Sequence, residues 1–400
     1  MPRLVLVTAL LLIFFTAFSQ SPIAPTDTFL TGTTLSRLTP LYYGPGTDRL
    51  GGARLETLDS GVALNITGHL TREGSSPLWR VRLAPGRTAY VPVEQTVVDT
   101  LSDYPVGSLT GSWRVWGDDR FDYVSIPLPA RLPYASQQQT DPSRVVVDLF
   151  GLTSNTNWIT HLSSLREIRK AWYEQVSDEV FRVYIDLKHR QHWGHSVYYD
   201  HNRLTIRVRR QPERLRLRGL TVAVDAGHGG TNLGAQGLNA KRFEKEFTLD
   251  VARRLAQELE KAGARVILTR ATDTLIGPSA RILALRQSLP HLLVSIHFNA
   301  SGNRETRGVS TYYKHAGFQP LTRAVLHELL RIDPHEAGNV GSFNFFFSAP
   351  TDYPNVLVEG PFLSNPDDEA LILDERYRRK MARAIRKGIK KFLKQAGRVR

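Results

Sequence analysis

The sequence predicts three folded units in series: a small β-barrel, a β-sandwich, and an α/β unit whose mostly parallel sheet is flanked by helices. Three observations carry this reading. Four hundred residues exceed what one ordinary core accommodates, so two or three domains are expected. Residues 28–98 and 103–210 consist of short alternating or β-branched runs broken by turn residues. From residue 219 onward strands alternate with amphipathic helices, the pattern of a parallel sheet covered on both faces. With 41% hydrophobic and 22% charged residues, the composition is globular and leaves no long disordered or collagen-like tract.

The opening segment MPRLVLVTALLLIFFTAFSQS places Arg3 before an apolar run from Leu4 to Phe18. That run is shorter than the roughly 20 residues a membrane-spanning helix needs. Small residues at Ala17 and Ser19 suit cleavage after Ser19, so residues 1–19 read as a secretory signal peptide. After cleavage no transmembrane anchor is expected. The chain contains no cysteine, which removes disulfides, thiolate ligands and cysteine-linked lipid, so any metal must be held by His, Asp or Glu. The expected location is exported, periplasmic or extracellular.

In the first β-rich unit, LYYGPGT and RLGG are turn-rich, ARLETLDSGVALNITGHL alternates, and LWRVRLAPGRTAYVPV reads as two strands around a Pro-Gly turn. The order of these pieces, with Trp79 and Tyr90-Val91, resembles bacterial SH3-like domains over 28–98. In the second, YVSIPLP, SRVVVDLFG, EVFRVYIDLK and NRLTIRVRR are strand-like. The pair RVVVDLFG and FRVYIDLK with a short closing strand resembles the AMIN domain, a β-sandwich module that precedes many cell-wall amidases, over 103–210. His189, His192 and His195 lie close together in KHRQHWGH, but their spacing suits a surface strand end better than a metal site.

The α/β unit spans about 219–395. TVAVD is a strand. EKEFTLDVARRLAQELEKAG is a helix with Phe247, Val251, Leu255 and Leu259 on one side and Gly263 where it stops. ARVILTR, HLLVSIHFNA and YPNVLVEGPF supply further strands. Of the formal net charge of +14, twelve Lys or Arg and no acid lie between Arg376 and Arg400. Tyr377, Met381, Ile385, Gly388 and Phe392 recur there at helical spacing, which predicts a terminal helix packed on its domain with a solvated basic face. The same face offers weak attraction to anionic cell-envelope polymers. Export makes nucleic acid an unsuitable partner.

In an open α/β sheet, ligands gather outside the carboxyl ends of the strands. His228 follows VAVD, His297 follows LLVSI and Glu359 closes NVLV, while Glu244 opens the first helix on the same rim. Two imidazoles, a carboxylate and a spare carboxylate are what a catalytic zinc site requires: three ligands, an open position and an unbound base. Each residue also has an ordinary reading as a hydrogen-bonded loop or ion-pair residue, and Glu246 competes with Glu244.

DAGHGG, EKEFTLDVARRL, ILTRATD, SIHFNA and VLVEGPFLSNPDDE, in this order, resemble the zinc-dependent N-acetylmuramoyl-L-alanine amidases over nearly all of the last 180 residues. The resemblance implies His228, Glu244 and His297 as ligands of one zinc ion, selecting Glu244 because it directly precedes Lys245. It implies Glu359 as the catalytic carboxylate, Arg281 as a helper at the developing oxyanion, and peptidoglycan as the substrate. Three positions depart from the family pattern. Asn232 replaces the usual Asp and is expected to weaken a contact behind a ligand. VEGPF replaces the usual VEVGF, and Phe298 replaces a smaller residue; both bear on substrate preference. The step from His297 to Glu359 is too short for the extra blocking helix that some relatives carry. Two other readings stand beside this one: a non-catalytic wall-binding or activator protein on the same fold, and a zinc peptidase acting on the stem peptide.

Overall fold

The computed structural model describes residues 26–45, 53–71, 76–101 and 103–398. The signal-peptide segment 1–19 lies outside the described residues, as does the RLGG run. Among the described residues, no helix is long and apolar enough to cross a membrane.

Seven antiparallel strands between Thr26 and Asp99 form one sheet, with Arg54–Leu58 and Thr96–Asp99 at its edges. Among the described residues the two edges are not hydrogen-bonded to each other, so the expected barrel is not closed by strand pairing. The Arg54–Leu58 edge turns instead to the next unit. Glu56 Oε2 accepts from the Ser136 backbone N–H at 2.8 Å and from the Ser136 hydroxyl at 2.6 Å.

Between Ser108 and Arg209 there are a five-stranded and a four-stranded sheet and one short parallel pair. Val124, Ile126, Leu204 and Ile206 from the first sheet share a core with Val145, Val147, Val183 and Ile185 from the second. That core continues without a break into Leu41, Leu64, Ile66, Val81 and Val91 of the preceding unit. The two β-rich units are therefore joined by a common apolar interior. At roughly 1.5–3 kcal/mol for each fully buried aliphatic side chain, pulling them apart would be costly.

In the carboxyl-terminal unit the strands are β1 (Thr221–Ala226), β2 (Arg265–Leu268), β3 (Leu292–Phe298), β4 (Val309–Tyr312), β5 (Glu336–Val340) and β6 (Asn355–Gly360). The helices are α1 (Glu244–Lys261), α2 (Pro278–Ser288), α3 (Gln319–Leu329), α4 (Pro366–Leu373) and α5 (Glu375–Ala396). The sheet order is β2-β1-β3-β6-β4-β5, all neighbours parallel except β4 against β6. β1 and β6 are buried along their whole length, as expected for strands covered on both faces.

One face carries α1, α3 and α5. Phe247, Val251, Leu255 and Leu259 of α1 meet Val222 and Val224 of β1 and the Met381, Ile385 and Phe392 stripe of α5 in one core. Gly388 lets α5 cross α3 closely, since a Cβ there would overlap the Val325 backbone. The other face carries only α2 as a full helix. Ala223, Leu293 and Leu357 are covered by Ile282, Leu285, Phe347, Tyr353 and Leu38, the last supplied by the turn before the amino-terminal strand Thr39–Tyr42.

The β-rich units also seat against the amino ends of the parallel strands. The His195 N–H donates to Thr351 O (2.8 Å) just before β6, and Arg209 Nη2 to Leu289 O (3.1 Å) just before β3. Lys314 Nζ donates to Arg54 O (2.7 Å) and Gln191 Nε2 to Gly317 O (2.7 Å). His192 and His195 are each 1% exposed in this junction, which corrects the expectation of a surface strand end. The apolar face of the α/β unit, including Phe392 at 5.7 Å from Trp193, draws this segment inward.

Candidate active site

β1 ends in Ala226, and the chain turns through Gly227-His228-Gly229. His228 holds a left-handed φ of +62°, costly for a side-chain-bearing residue and so in need of support. Three groups below supply it. Asp225, fully buried, accepts from Thr269 Oγ1 (2.6 Å), Ser295 Oγ (2.7 Å) and Arg281 Nη1 (2.9 Å). Arg281 also donates to the carbonyls of Ala226 (2.7 Å), His228 (2.6 Å) and Ile276 (2.8 Å). Arg270 donates to the carbonyls of Ala226 and Gly227, each at 2.9 Å. Two guanidiniums thus clamp three successive carbonyls of the turn. Arg281, expected at the oxyanion, is 5% exposed and committed to the Asp225 carboxylate and this backbone. Its hydrogen bonds hold the turn in place. Arg270 and Asp225 have the same task, and sequence reasoning passed over both, although they lie within the ILTRATD and DAGHGG motifs.

The glycines explain themselves by what touches them. A Cβ on Gly227 would overlap the His297 ring, so this glycine makes room for the second imidazole. Gly229 (φ +129°) packs against Thr274 O and the Arg270 side chain, which leaves no open space for a ligand there.

Glu244, first residue of α1 and 4% exposed, sits between the two imidazoles. His228 Nε2 is 3.0 Å from its Oε2 and His297 Nδ1 is 3.0 Å from its Oε1. The backbone N–H groups of Ala235 and Phe298 donate to the same two oxygens, each at 3.0 Å. Burial alone would raise the Glu244 carboxyl, but the hydrogen bonds from His228 and His297 outweigh it and hold it well below the usual carboxylate range. Burial alone would lower His297, yet the Glu244 carboxylate raises it to about 9. Glu246 is occupied elsewhere: it accepts from the Phe243 N–H at 3.0 Å and pairs with Arg242 at 2.8 Å, closing the amino end of α1.

Among the described residues, His228, Glu244 and His297 form the one group whose donor atoms all lie within 4.8 Å of one another. Two imidazole nitrogens and a carboxylate oxygen, with no thiolate, are a donor set that suits zinc. Asn232 stands behind His228: its Oδ1 accepts from His228 Nδ1–H at 2.8 Å, which turns Nε2 toward Glu244 and the cluster. The contact expected to weaken is thus present, with a neutral acceptor.

β3 and β6 place His297 directly beside Glu359 in the parallel register. Glu359 is 7% exposed, and its Oε2 is buried without a hydrogen-bond partner. Burial pushes its carboxyl up to about 8, with Glu244 adding to the rise and His297 opposing it. Phe298 is 2% exposed and packs edge-on against Phe247 at 6.0 Å, so it serves the core and not substrate choice. Between His297 and Glu359 the only full helix is α3, whose Leu321, Val325 and Leu329 are buried in the core with α5.

A family model described as N-acetylmuramoyl-L-alanine amidase matches residues 222–391. The germination-specific N-acetylmuramoyl-L-alanine amidase of Bacillus subtilis (strain 168) is 30% identical over 204 residues, covering 47% of this chain and 85% of that protein. The chain belongs to the N-acetylmuramoyl-L-alanine amidase family. The probable cell wall amidase LytH of Staphylococcus aureus is 31% identical over 191 residues, 48% of this chain and 64% of LytH. Among solved structures, the catalytic domain of CwlV from Bacillus (Paenibacillus) polymyxa var. colistinus aligns at 30% identity and a TM-score of 0.42, over 44% of this chain and 98% of that one. The amidase match begins within β1 and ends within α5; the β-rich half lies outside it.

Proposed function

We propose that this amidase hydrolyses the amide between N-acetylmuramic acid and L-alanine in peptidoglycan, using His228, Glu244 and His297 to hold one zinc ion and Glu359 to move the proton. The observation that carries the reading is the convergence of two imidazoles and a carboxylate on the open rim, with an unpartnered buried carboxylate one strand away. Zinc bound there supplies Lewis acidity, which brings a water molecule to ionise near pH 7.

The residues do the rest. Glu359 accepts the proton of the attacking water as the new C–O bond forms at the amide carbon. It returns that proton to the departing amine as the C–N bond breaks, without which the amine leaves badly. A carboxyl held by burial near pH 8, and drawn back down by a nearby dication, can both take and give a proton near neutrality. Asn232 fixes the tautomer of His228. The Asp225, Arg270 and Arg281 clamp fixes its backbone.

Residues 28–98 are read here as an SH3-like module and 103–210 as an AMIN-like module that hold the enzyme to the wall, after export directed by residues 1–19. On α5, Arg376, Lys380, Arg383, Lys387, Lys390 and Lys394 are all exposed and succeed one another at alternating steps of four and three. At 1.5 Å per residue this line of charge is roughly 27 Å long, which supports contact with anionic envelope polymers.

The deciding experiment is mass spectrometry of purified peptidoglycan after digestion. Release of free lactyl-ended muramic acid together with a free L-alanine amine is the expected result. New ends confined to the stem peptide would assign a peptidase instead, and no new ends a non-catalytic binder.

A further inference from the structure

A cavity of about 410 Å³ lies where the second β-rich unit, the linker after it and the loop before β3 meet. Arg120, Arg166, Arg209 and Arg210 line it, with His189 and His291. Two of these charges are answered from within: Arg210 pairs with buried Asp122 at 2.8 Å, and His189 with Glu167 at 2.7 Å. Arg120, Arg166 and Arg209 are not. Among the described residues no carboxylate lies within ion-pair distance of any of the three, and the remaining acids on the lining, Asp119 and Glu213, are exposed.

Arg209 is the informative one. It is 4% exposed, its Nη2 donates to Leu289 O at 3.1 Å, and its Nε is buried with no acceptor. Burial, with Arg120 and Arg207 beside it, pushes its guanidinium down to about 10. Arg120, Arg207 and Arg209 surround the Phe121 ring at 5.4, 4.7 and 5.1 Å. A guanidinium buried among others of its kind is costly unless an anion joins it. His291 adds a neutral donor: the Thr221 N–H donates to its Nδ1 at 3.0 Å, so the ring carries its hydrogen on Nε2.

We propose that this cavity binds a phosphate group, held by Arg120, Arg166 and Arg209 with the His291 ring as a further donor. These donors come from four separate chain segments and approach from several directions, which suits a tetrahedral oxyanion better than a planar carboxylate. Because Arg209 already donates to the loop before β3 and His291 belongs to that loop, the ligand would tie the β-rich half to the α/β unit.

The test is a calorimetric titration of the full chain with inorganic phosphate at constant ionic strength, with acetate as the planar control and thermal unfolding as a second readout. Saturable phosphate binding is expected, weakened by about tenfold or more in the exposed-residue variant R120Q/R166Q and unchanged in K387Q/K390Q on the unrelated basic face of α5. R209Q should lose binding as well, but only if it folds, which is why the exposed pair carries the test. Tighter binding of poly(glycerol phosphate) than of inorganic phosphate, with the excess lost in R120Q/R166Q, would assign a phosphodiester polymer as the source, and the reverse order a free phosphate; either supports the site. Absent saturation, an equal response to acetate, or full binding by R120Q/R166Q would overturn it. None of these readouts depends on amidase activity.

Discussion

At the scale of single residues, the roles proposed for Glu359 and for the three clustered side chains are separable. Glu359→Gln removes the proton carrier and touches none of the three converging donors. It should retain zinc at one ion per chain by elemental analysis and lose about 10²–10⁴-fold in turnover of muropeptides. His228→Ala should lose the metal itself. Asn232→Ala tests the group behind the ligand: with His228 free to turn, zinc affinity should fall by about 10–100-fold in a competitive chelator titration, and Asn232→Asp should restore it. The convergence of His228, Glu244 and His297, with Glu359 beside them, was legible from the sequence because each sits at a strand or helix end beside a recognisable run. What Gly227 and Gly229 do was not legible. Whether a missing Cβ spares a ring, a carbonyl or a ligand depends on what lies across from it, and no local pattern states that.

At the scale of elements, the turn after β1 is held by α2 and by the loop after β2. The Arg281 guanidinium joins them through Asp225 and the carbonyls of Ala226 and His228. Arg281→Met leaves Asp225 buried beside only two hydroxyl donors. It should lower stability by about 3–5 kcal/mol in urea unfolding and weaken zinc binding with it. A variant that lost only kcat, with stability and zinc intact, would return Arg281 to the oxyanion. The periodicity of α1 and α5 announced both helices and their buried sides. It did not announce that, among the described residues, the second face of the sheet would carry α2 alone as a full helix, because that vacancy is filled by Phe347 and Tyr353 and by Leu38, 183 residues upstream of β1.

At the scale of the whole molecule, the junction between halves is built around neutral histidines. His192 is held down to about 4 and His195 to about 3, in both cases first by burial. Both should titrate near 6.5 once unfolded. Above about pH 6.5 neither state takes a proton and the pair is silent. As pH falls below that, only the unfolded chain is protonated, and stability is lost progressively until the folded values are reached. The loss between pH 7 and pH 4.5 should be on the order of several kcal/mol, read as a falling urea midpoint, and His195→Gln should flatten that fall. The sequence showed the KHRQHWGH cluster but not its burial, since an imidazole in a polar run looks solvated until a second domain is laid over it.

The amino-terminal half grips the α/β unit at the starts of its strands, while the reactive side chains stand at their finishes. Six residues of strand, roughly 20 Å, separate the two poles. If the β-rich half holds a wall strand, as proposed, that strand is expected to lie away from the stretch being cut.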